Sequence, residues 1–522
     1  MQSFLQYCRL QNRVATRIEI ETDPIAEGTK DEARLPEKDN VVASNGDDST
    51  DPRNWSSFHR GRVFAIVWLL VFSQGWVSTC DSRVAKPESE GLHVSETAQT
   101  VTTAVFFIGI ALGALFAGPL SETFGRNPVY LISTFVLLTF TLGSALAPSF
   151  GALVVLRFLS GVASSPTLSI YGGTLADLFT NEERRMLAPV AGGFIADRID
   201  WRWTLWIGLA FVGAVWLLAV AFLPETFSPV LLQYKAKHLR ALTGNDAFVA
   251  PTEQGDGLAK RLRTNISRPI AFCTSEPIVL LLGSYLILIF VINFSFLNGL
   301  DFIFTDTYGI STGVASLAFV SITVGVLIDI STTHLHTRLC RRVLRRNCRA
   351  FVKRKPADPS DESSSVDTEA TIPPELSLIR AAIAAPFLPL SLFWLGWTNY
   401  SDINPASGYV ATIFFGYALS AIFISSYQYI IDGYETYSSS ALASITMARY
   451  VFSAGLVVAT RPMYQGIGVQ FVMTIMGTLA LLLVPVPWLL MRYGDRVRAR
   501  SKFAREVAES RRCSYCCRAF GN

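Results

Sequence analysis

Long apolar runs separated by short polar links dominate the sequence between residues 61 and 491. A helix needs roughly 20 mainly apolar residues to cross about 30 Å of hydrocarbon. By that measure 61–80, 98–119, 128–148, 151–172, 203–223, 277–297, 312–330, 379–398, 408–431, 439–460 and 468–491 each predict a spanning helix. Residues 186–196 make a poor twelfth segment, because eleven residues reach only about 16 Å. The pattern predicts an all-α polytopic membrane protein.

The polar stretch 224–276 divides six candidates from six. The expected organisation is a tail (1–60), a helical half (61–223), a middle loop (224–276), a second half (277–491) carrying a basic and acidic loop at 334–373, and a tail (492–522). Such a layout fits a secondary transporter whose substrate site lies where two halves meet. Orientation follows the Lys and Arg of short loops. Arg126, Arg184, Arg185, Lys235, Lys237, Arg240, Lys260, Arg261, Arg263, Arg268, the run Arg338 to Lys355 and the cations from Arg492 to Lys502 fall on one side. Arg83, Lys86, Arg198, Arg202 and Arg461 fall on the other, so both termini are expected in the cytosol. If 186–196 did not span, the basic middle loop would face outward, against the charge rule. A re-entrant segment, a natural deletion and an error in the gene model each account for the short fifth segment, the last two better than the first.

Composition narrows the class. Charged residues make up 16% of the 522, against about 25% in soluble domains. A net charge of +4 confined to loops and tails offers no contiguous basic face for nucleic acid. The eight cysteines show no framework spacing, and most fall where thiols stay reduced. The N-terminal residues lack an apolar signal-peptide core, so targeting is expected to rest on the first span. His59, His93, His238, His334 and His336 all lie in tails or loops, which leaves no intramembrane metal or acyl-transfer cluster. No GxxxxGK[ST] loop is present, against an ATP-driven pump. No enzyme activity, cofactor or metal is expected.

Two local patterns carry chemistry. The link after the second span reads Gly118-Pro-Leu-Ser-Glu122-Thr-Phe-Gly125-Arg126-Asn127. Its glycines allow a tight turn between packed helices, and Glu122 and Arg126 can bond neighbouring helix ends; an ordinary turn with solvated charges fits equally. Arg157 stands inside the apolar fourth span. A buried intramembrane cation is costly and marks a functional candidate, unless it only bonds backbone carbonyls.

Together these stretches resemble the major facilitator superfamily, and within it the fungal twelve-span drug:proton antiporters of the polyamine and cycloheximide-resistance branch. Asp51-Pro-Arg-Asn-Trp-Ser56 is similar to that branch's signature before the first span. GPLSETFGRNPVYL (118–131) and LRFLSG (156–161) resemble its loop and fourth-span motifs. GGTLADLFTNEER (172–184), DWRWTLWI (200–207), LPETFSPVLL (223–232), YQYIIDGYETYSSSALAS (427–444) and MRYGDRVRARSKFA (491–504) are further similar stretches. The resemblance implies the major facilitator fold, conformational gating by Gly118, Glu122, Gly125 and Arg126, and proton coupling through Arg157.

Three departures stand out. Asn127 replaces a second cation, which weakens the loop's charge cluster. The fifth-span antiporter motif survives only as Ala188-Pro189 with Gly192-Gly193, a stretch that the family pattern carries being missing between Arg185 and Leu187. Asn298 stands where the branch often has a glutamate, which argues against a cationic substrate.

Gln74, Asn293, Asn298 and Tyr427 are candidate cavity groups, with Trp76, Tyr285 and Tyr429 beside them, because a pocket needs apolar walls with a few polar contacts. Asp301, Asp329, Asp432 and Arg449 are further polar positions, the three aspartates reading as helix-end charges. Asn399-Tyr-Ser401 is a sequon expected in an exposed external loop. The basic run Arg338 to Lys355 reads as a positive-inside anchor, and Cys513, Cys516 and Cys517 as palmitoylation candidates rather than zinc ligands. The expected function is proton-coupled export of small organic compounds (drugs, toxins, polyamines) by a plasma-membrane or vacuolar monomer whose partners are substrate, proton and bilayer. The alternative is a degenerate, non-transporting membrane protein or sensor, because the fifth span is cut short.

Overall fold

Helix signals in the sequence set most element ends. In the computed structural model, residues 3, 6–12, 51–178, 201–245, 248–250, 268–315, 317–333, 374–434 and 438–501 are described. Ser56 caps α1 (Ser57–Gly91), accepting the His59 N–H, and Ser95 caps α2 (Glu96–Phe124) through the Ala98 N–H. Each side-chain oxygen satisfies a donor that the first helical turn leaves open. Gly125 then ends α2 and starts α3 (Arg126–Ala145). Next come α4 (Phe150–Leu178), α5 (Trp201–Phe222) and α6 (Ser228–Thr243). Gly244, in the left-handed region at φ 65°, closes α6, as glycine does after many helices.

Pro277 opens α7 (Pro277–Leu300), which runs on through a π-helical turn, Asp301–Asp306. After α8 (Leu317–Thr333) come α9 (Ile379–Ala384), α10 (Phe387–Trp397), α11 (Ala406–Tyr434), α12 (Ser438–Leu483) and α13 (Pro485–Arg500). Gly468, at φ 80°, bends α12 within its length.

The eleven strong apolar runs all fall on these helices, with 439–460 and 468–491 lying on either side of the Gly468 bend and α8 forming a shorter apolar helix. The fold is the expected all-helical one. The weak segment 186–196, the loop 334–373 and the cysteines beyond 501 lie outside the described residues.

The described residues form two compact units. One comprises the residues up to 178, those of 201–271 and Thr446–Val458 within α12. Its main contact is the α2–α4 crossing, where a Cβ on Gly161 would lie 2.1 Å from the Phe106 carbonyl oxygen and one on Gly109 2.3 Å from that of Phe158. Only small residues let two backbones approach so closely. Trp216 of α5 donates its indole N–H to the Leu131 carbonyl of α3 at 3.0 Å, and Phe107 packs edge-on against Tyr450. The other unit holds the described residues of 272–445 and 459–501. There the α8–α11 crossing depends on Gly325 and Gly416 in the same way.

Candidate functional site

The corner between α2 and α3 turns on one backbone position. Gly125 adopts φ 96°, a conformation that costs glycine little and other residues much. A Cβ there would also fall 2.4 Å from Glu225 Oε2. Glu225 lies just past α5 and is fully buried. Its carboxylate accepts the backbone N–H groups of Arg126 (2.9 Å), Asn127 (3.1 Å), Thr226 (3.0 Å) and Phe227 (2.9 Å). Two of these are among the donors that the first turn of α3 cannot satisfy within the helix, at its positive dipole end. Burial pushes the Glu225 carboxyl up, and the four backbone N–H groups oppose the rise.

The Arg126 side chain spreads the contact to two more helices. Its Nε donates to Asp177 Oδ2 of α4 at 3.1 Å, its Nη1 to Ser121 Oγ of α2 at 2.6 Å, and its guanidinium lies 4.8 Å from the Phe227 ring centre. Gly173 leaves the space it occupies: a Cβ there would sit 2.7 Å from Arg126 Nη2. Asn127 donates its side-chain amide to the Leu223 carbonyl. One turn further in, the Tyr130 and Thr174 hydroxyls pair at 2.8 Å. Ends of α2, α3 and α4 and the segment following α5 are thereby tied at one place.

The N-terminal segment joins the same cluster. Gln6 Oε1 accepts the Glu225 N–H at 2.9 Å, and Gln6 Nε2 donates to the Glu225 carbonyl at 3.3 Å. Tyr7 packs on α6 with ring centres 5.2 Å from Tyr234 and 4.3 Å from His238. Burial lowers the His238 pKa, and a hydrogen bond with the Tyr7 backbone opposes it.

Several expectations change at this level. Gly118 is not a turn residue; it lies inside α2 with nothing within 4 Å of an added Cβ. Glu122 is half-buried on the last turn of α2. Arg157 is 1% exposed and bonds the Val77 carbonyl of α1 at 3.4 Å. Asp329, near the end of the described part of α8, is not a solvated charge. It is fully buried and accepts Nε of Arg380 at 2.8 Å, Nη2 of the same guanidinium, and Ser420 Oγ at 2.7 Å. Asp432 accepts Gln428 Nε2 at 2.7 Å, and Asp301 opens the π-helical turn. The sequon's acceptor side chain is not exposed, although Tyr400 and Ser401 are: Asn399 is 2% exposed, donating to Thr307 Oγ1 and accepting Gln470 Nε2 at its carbonyl.

Among the candidate cavity groups, Gln74 is fully buried, with neither amide atom hydrogen-bonded among the described residues. Asn298 donates to its own helix at Phe294 O, 2.8 Å, and Asn293 is half-buried. Tyr427 stacks on Phe423 at 4.4 Å. Pro189, Gly192 and Gly193 lie outside the described residues. Ser160, Ser164 and Thr167 are an additional set; they follow Arg157 at helical spacing, all fully buried, their hydroxyls without a hydrogen-bond partner among the described residues. That i, i+3, i+7, i+10 spacing was the signal available in the sequence. The signal for Glu225 and Asp177 was weaker, since each lay in a family-like stretch with nothing to say what it touches.

The chain matches the Major Facilitator Superfamily over residues 65–457. It belongs to that family. The MFS-type transporter kojT of Aspergillus oryzae is 37% identical over 481 residues, covering 88% of this chain and 82% of that protein. The efflux pump FUB11 of Gibberella fujikuroi is 31% identical over 436 residues, covering 80% of this chain and 71% of that protein. Among solved structures, the proton:xylose symporter XylE bound to 6-bromo-6-deoxy-D-glucose superposes with a TM-score of 0.54 at 14% identity, over 84% of this chain and 97% of that one. At that identity the likeness is one of fold. The protein is thus a multi-pass secondary transporter of small molecules and not an enzyme.

Proposed function

We propose that the protein exports small organic compounds in exchange for protons by alternating access, and that 61–223 and 277–491 are its two six-helix halves. The observation that carries this reading is the buried cluster of Arg126, Asp177 and Glu225, which ties four helix segments at one end of the first unit. Such charge-assisted bonds stay closed in one conformation and must open in the other. Gly118, Glu122, Gly125 and Arg126 form the gating stretch, and Arg157 contributes to proton coupling. Gln74, Asn293, Asn298 and Tyr427 face substrate, and Pro189, Gly192 and Gly193 are what remains of the antiporter motif. The efflux-pump name of a 31% identical relative supports the outward direction. The protein works as a monomer in the plasma membrane with both termini in the cytosol.

A second reading, a non-transporting member of the family, draws support from the eleven-residue segment at 186–196. Expression in a yeast strain lacking its own exporters tests both. Resistance to a panel of drugs and polyamines that varies with external pH, and that falls in Arg157→Ala, is expected. If neither this chain nor a version with a lengthened fifth span confers resistance to any compound, the export reading fails and the second reading stands.

A further inference from the structure

The two glycine crossings fix a common register for the two units. A Cβ on Gly161 would lie 2.1 Å from Phe106 O and one on Gly109 2.3 Å from Phe158 O; one on Gly416 would lie 2.2 Å from Ile322 O and one on Gly325 2.1 Å from Ile413 O. Phe106 therefore corresponds to Ile322, Gly109 to Gly325, Phe158 to Ile413 and Gly161 to Gly416. The register holds to the helix ends, where Asp177 of α4 corresponds to Asp432 of α11.

One turn beyond the crossing, the two units differ. Gly113 corresponds to Asp329, and Ser165 to Ser420. In the first unit this is a closed contact: a Cβ on Gly113 would fall 2.7 Å from the Ser165 Cβ, and Ser165 Oγ donates to the Ile110 carbonyl at 2.8 Å. In the second unit the same place holds a carboxylate with no exposed surface, bonded to Ser420 and gripped by both arms of the Arg380 guanidinium. Arg380 itself is 8% exposed. Helix packing alone does not require a charge here, because the first unit packs the equivalent crossing with a glycine and a serine. Burying an ion pair is a poor way to add stability, and its best-attested use is in a switch or a specificity device.

We infer that Asp329 is a coupling carboxylate of the second unit, whose proton occupancy decides whether α9 stays locked to α8 and α11. This rests on the proton-coupled reading above. Ionised, Asp329 offers acceptors to both guanidinium arms and to the serine. Taking up a proton on one carboxyl oxygen replaces an acceptor with a donor and breaks the paired geometry. The proton is later returned to water as the pair reforms. Among the described residues, the groups facing Asp329 are Arg380 from α9 and Ser420 and Tyr417 from α11, the Tyr417 phenol lying within electrostatic reach of both members of the pair. No other titratable side chain occurs in 317–333 or 387–397.

The test uses the full chain reconstituted in liposomes. Infrared difference spectra between acid and neutral pH are expected to show the carbonyl stretch of a protonated buried carboxyl group, absent in Asp329→Asn. In cells, export of the neutral fluorescent dye Nile red is expected to lose its dependence on external pH in that variant. If Asp329→Asn does not fold, the double variant D329L/R380M replaces the charged pair with apolar side chains and is expected to fold while losing the infrared band and the pH dependence. A folded variant that keeps the band and the wild-type pH profile overturns the inference while leaving the export reading intact. Wild-type protein that exports nothing counts against the export reading, and the infrared band alone then decides whether Asp329 changes charge.

Discussion

The Glu225 carboxylate accepts the backbone N–H of Arg126 at 2.9 Å, so a residue just past α5 caps the start of α3 at the α2–α3 corner. Its second oxygen takes the Asn127 N–H at 3.1 Å. Glu225→Ala would leave several buried donors without a partner. We expect a stability loss of about 2–3 kcal/mol, read as a lower unfolding temperature of the purified protein, with Glu225→Gln intermediate because it keeps one acceptor oxygen.

Arg126 and Asp177 are both mostly buried, with side chains 11% and 18% exposed. A double-mutant cycle on Arg126→Ala and Asp177→Asn should give a coupling energy of about 1 kcal/mol. Strictly additive losses would show that the pair holds nothing across α3 and α4.

The glycines of the two crossings and the glycine of the loop stretch should behave oppositely. Gly161→Ala and Gly416→Ala drive a methyl group into backbone atoms 2.1–2.2 Å away, and overpacking of this kind costs about 1–3 kcal/mol. Gly118→Ala meets nothing within 4 Å and should leave the unfolding temperature unchanged or slightly raised. Thermal unfolding of the three variants in one detergent checks all of this.

The N-terminal segment gives a prediction with a pH sign. His238 is buried against Tyr7, and burial lowers its pKa from 6.5. The docked state therefore holds the neutral ring and binds fewer protons than the released one. Docking is unaffected above pH 6.5 and weakens as pH falls below it. The protection factor of residues 6–12, which refers the observed hydrogen exchange to the intrinsic rate at each pH, should fall on acidification. Gln6→Ala should lower it at every pH, and His238→Phe, which keeps the ring contact without a titrating group, should remove its pH dependence. A wild-type protection factor that does not change with pH would refute this.

Much of this protein was legible in the sequence because lipid makes severe demands on it. Backbone polar groups in hydrocarbon must be satisfied within the helix, so a run such as 98–119 or 408–431 has no other stable form, and the eleven strong runs fall on helices. The stretch from Gly118 to Asn127 and the cation Arg157 also stood out, because glycine at a corner and charge in an apolar helix are costly unless used. Gly118 and Asn399 misled for a related reason. Neither a glycine's surroundings nor a loop's burial is a local property, and Asn399 is buried by Thr307 and Gln470, each at least 70 residues away.

The sequence by itself therefore determined the helices, their number among strong runs, and which residue types were out of place in them. Tertiary structure alone decided the partners. Glu225 lies 99 residues from Arg126, Asp177 lies 51 residues from it, and Asp329 is 51 residues from Arg380 and 91 from Ser420. A carboxylate after a span reads as an ordinary end charge until packing removes the water around it. Once buried it must find donors, and which donors are near is fixed by how the helices cross, at the glycines whose missing side chains let them meet.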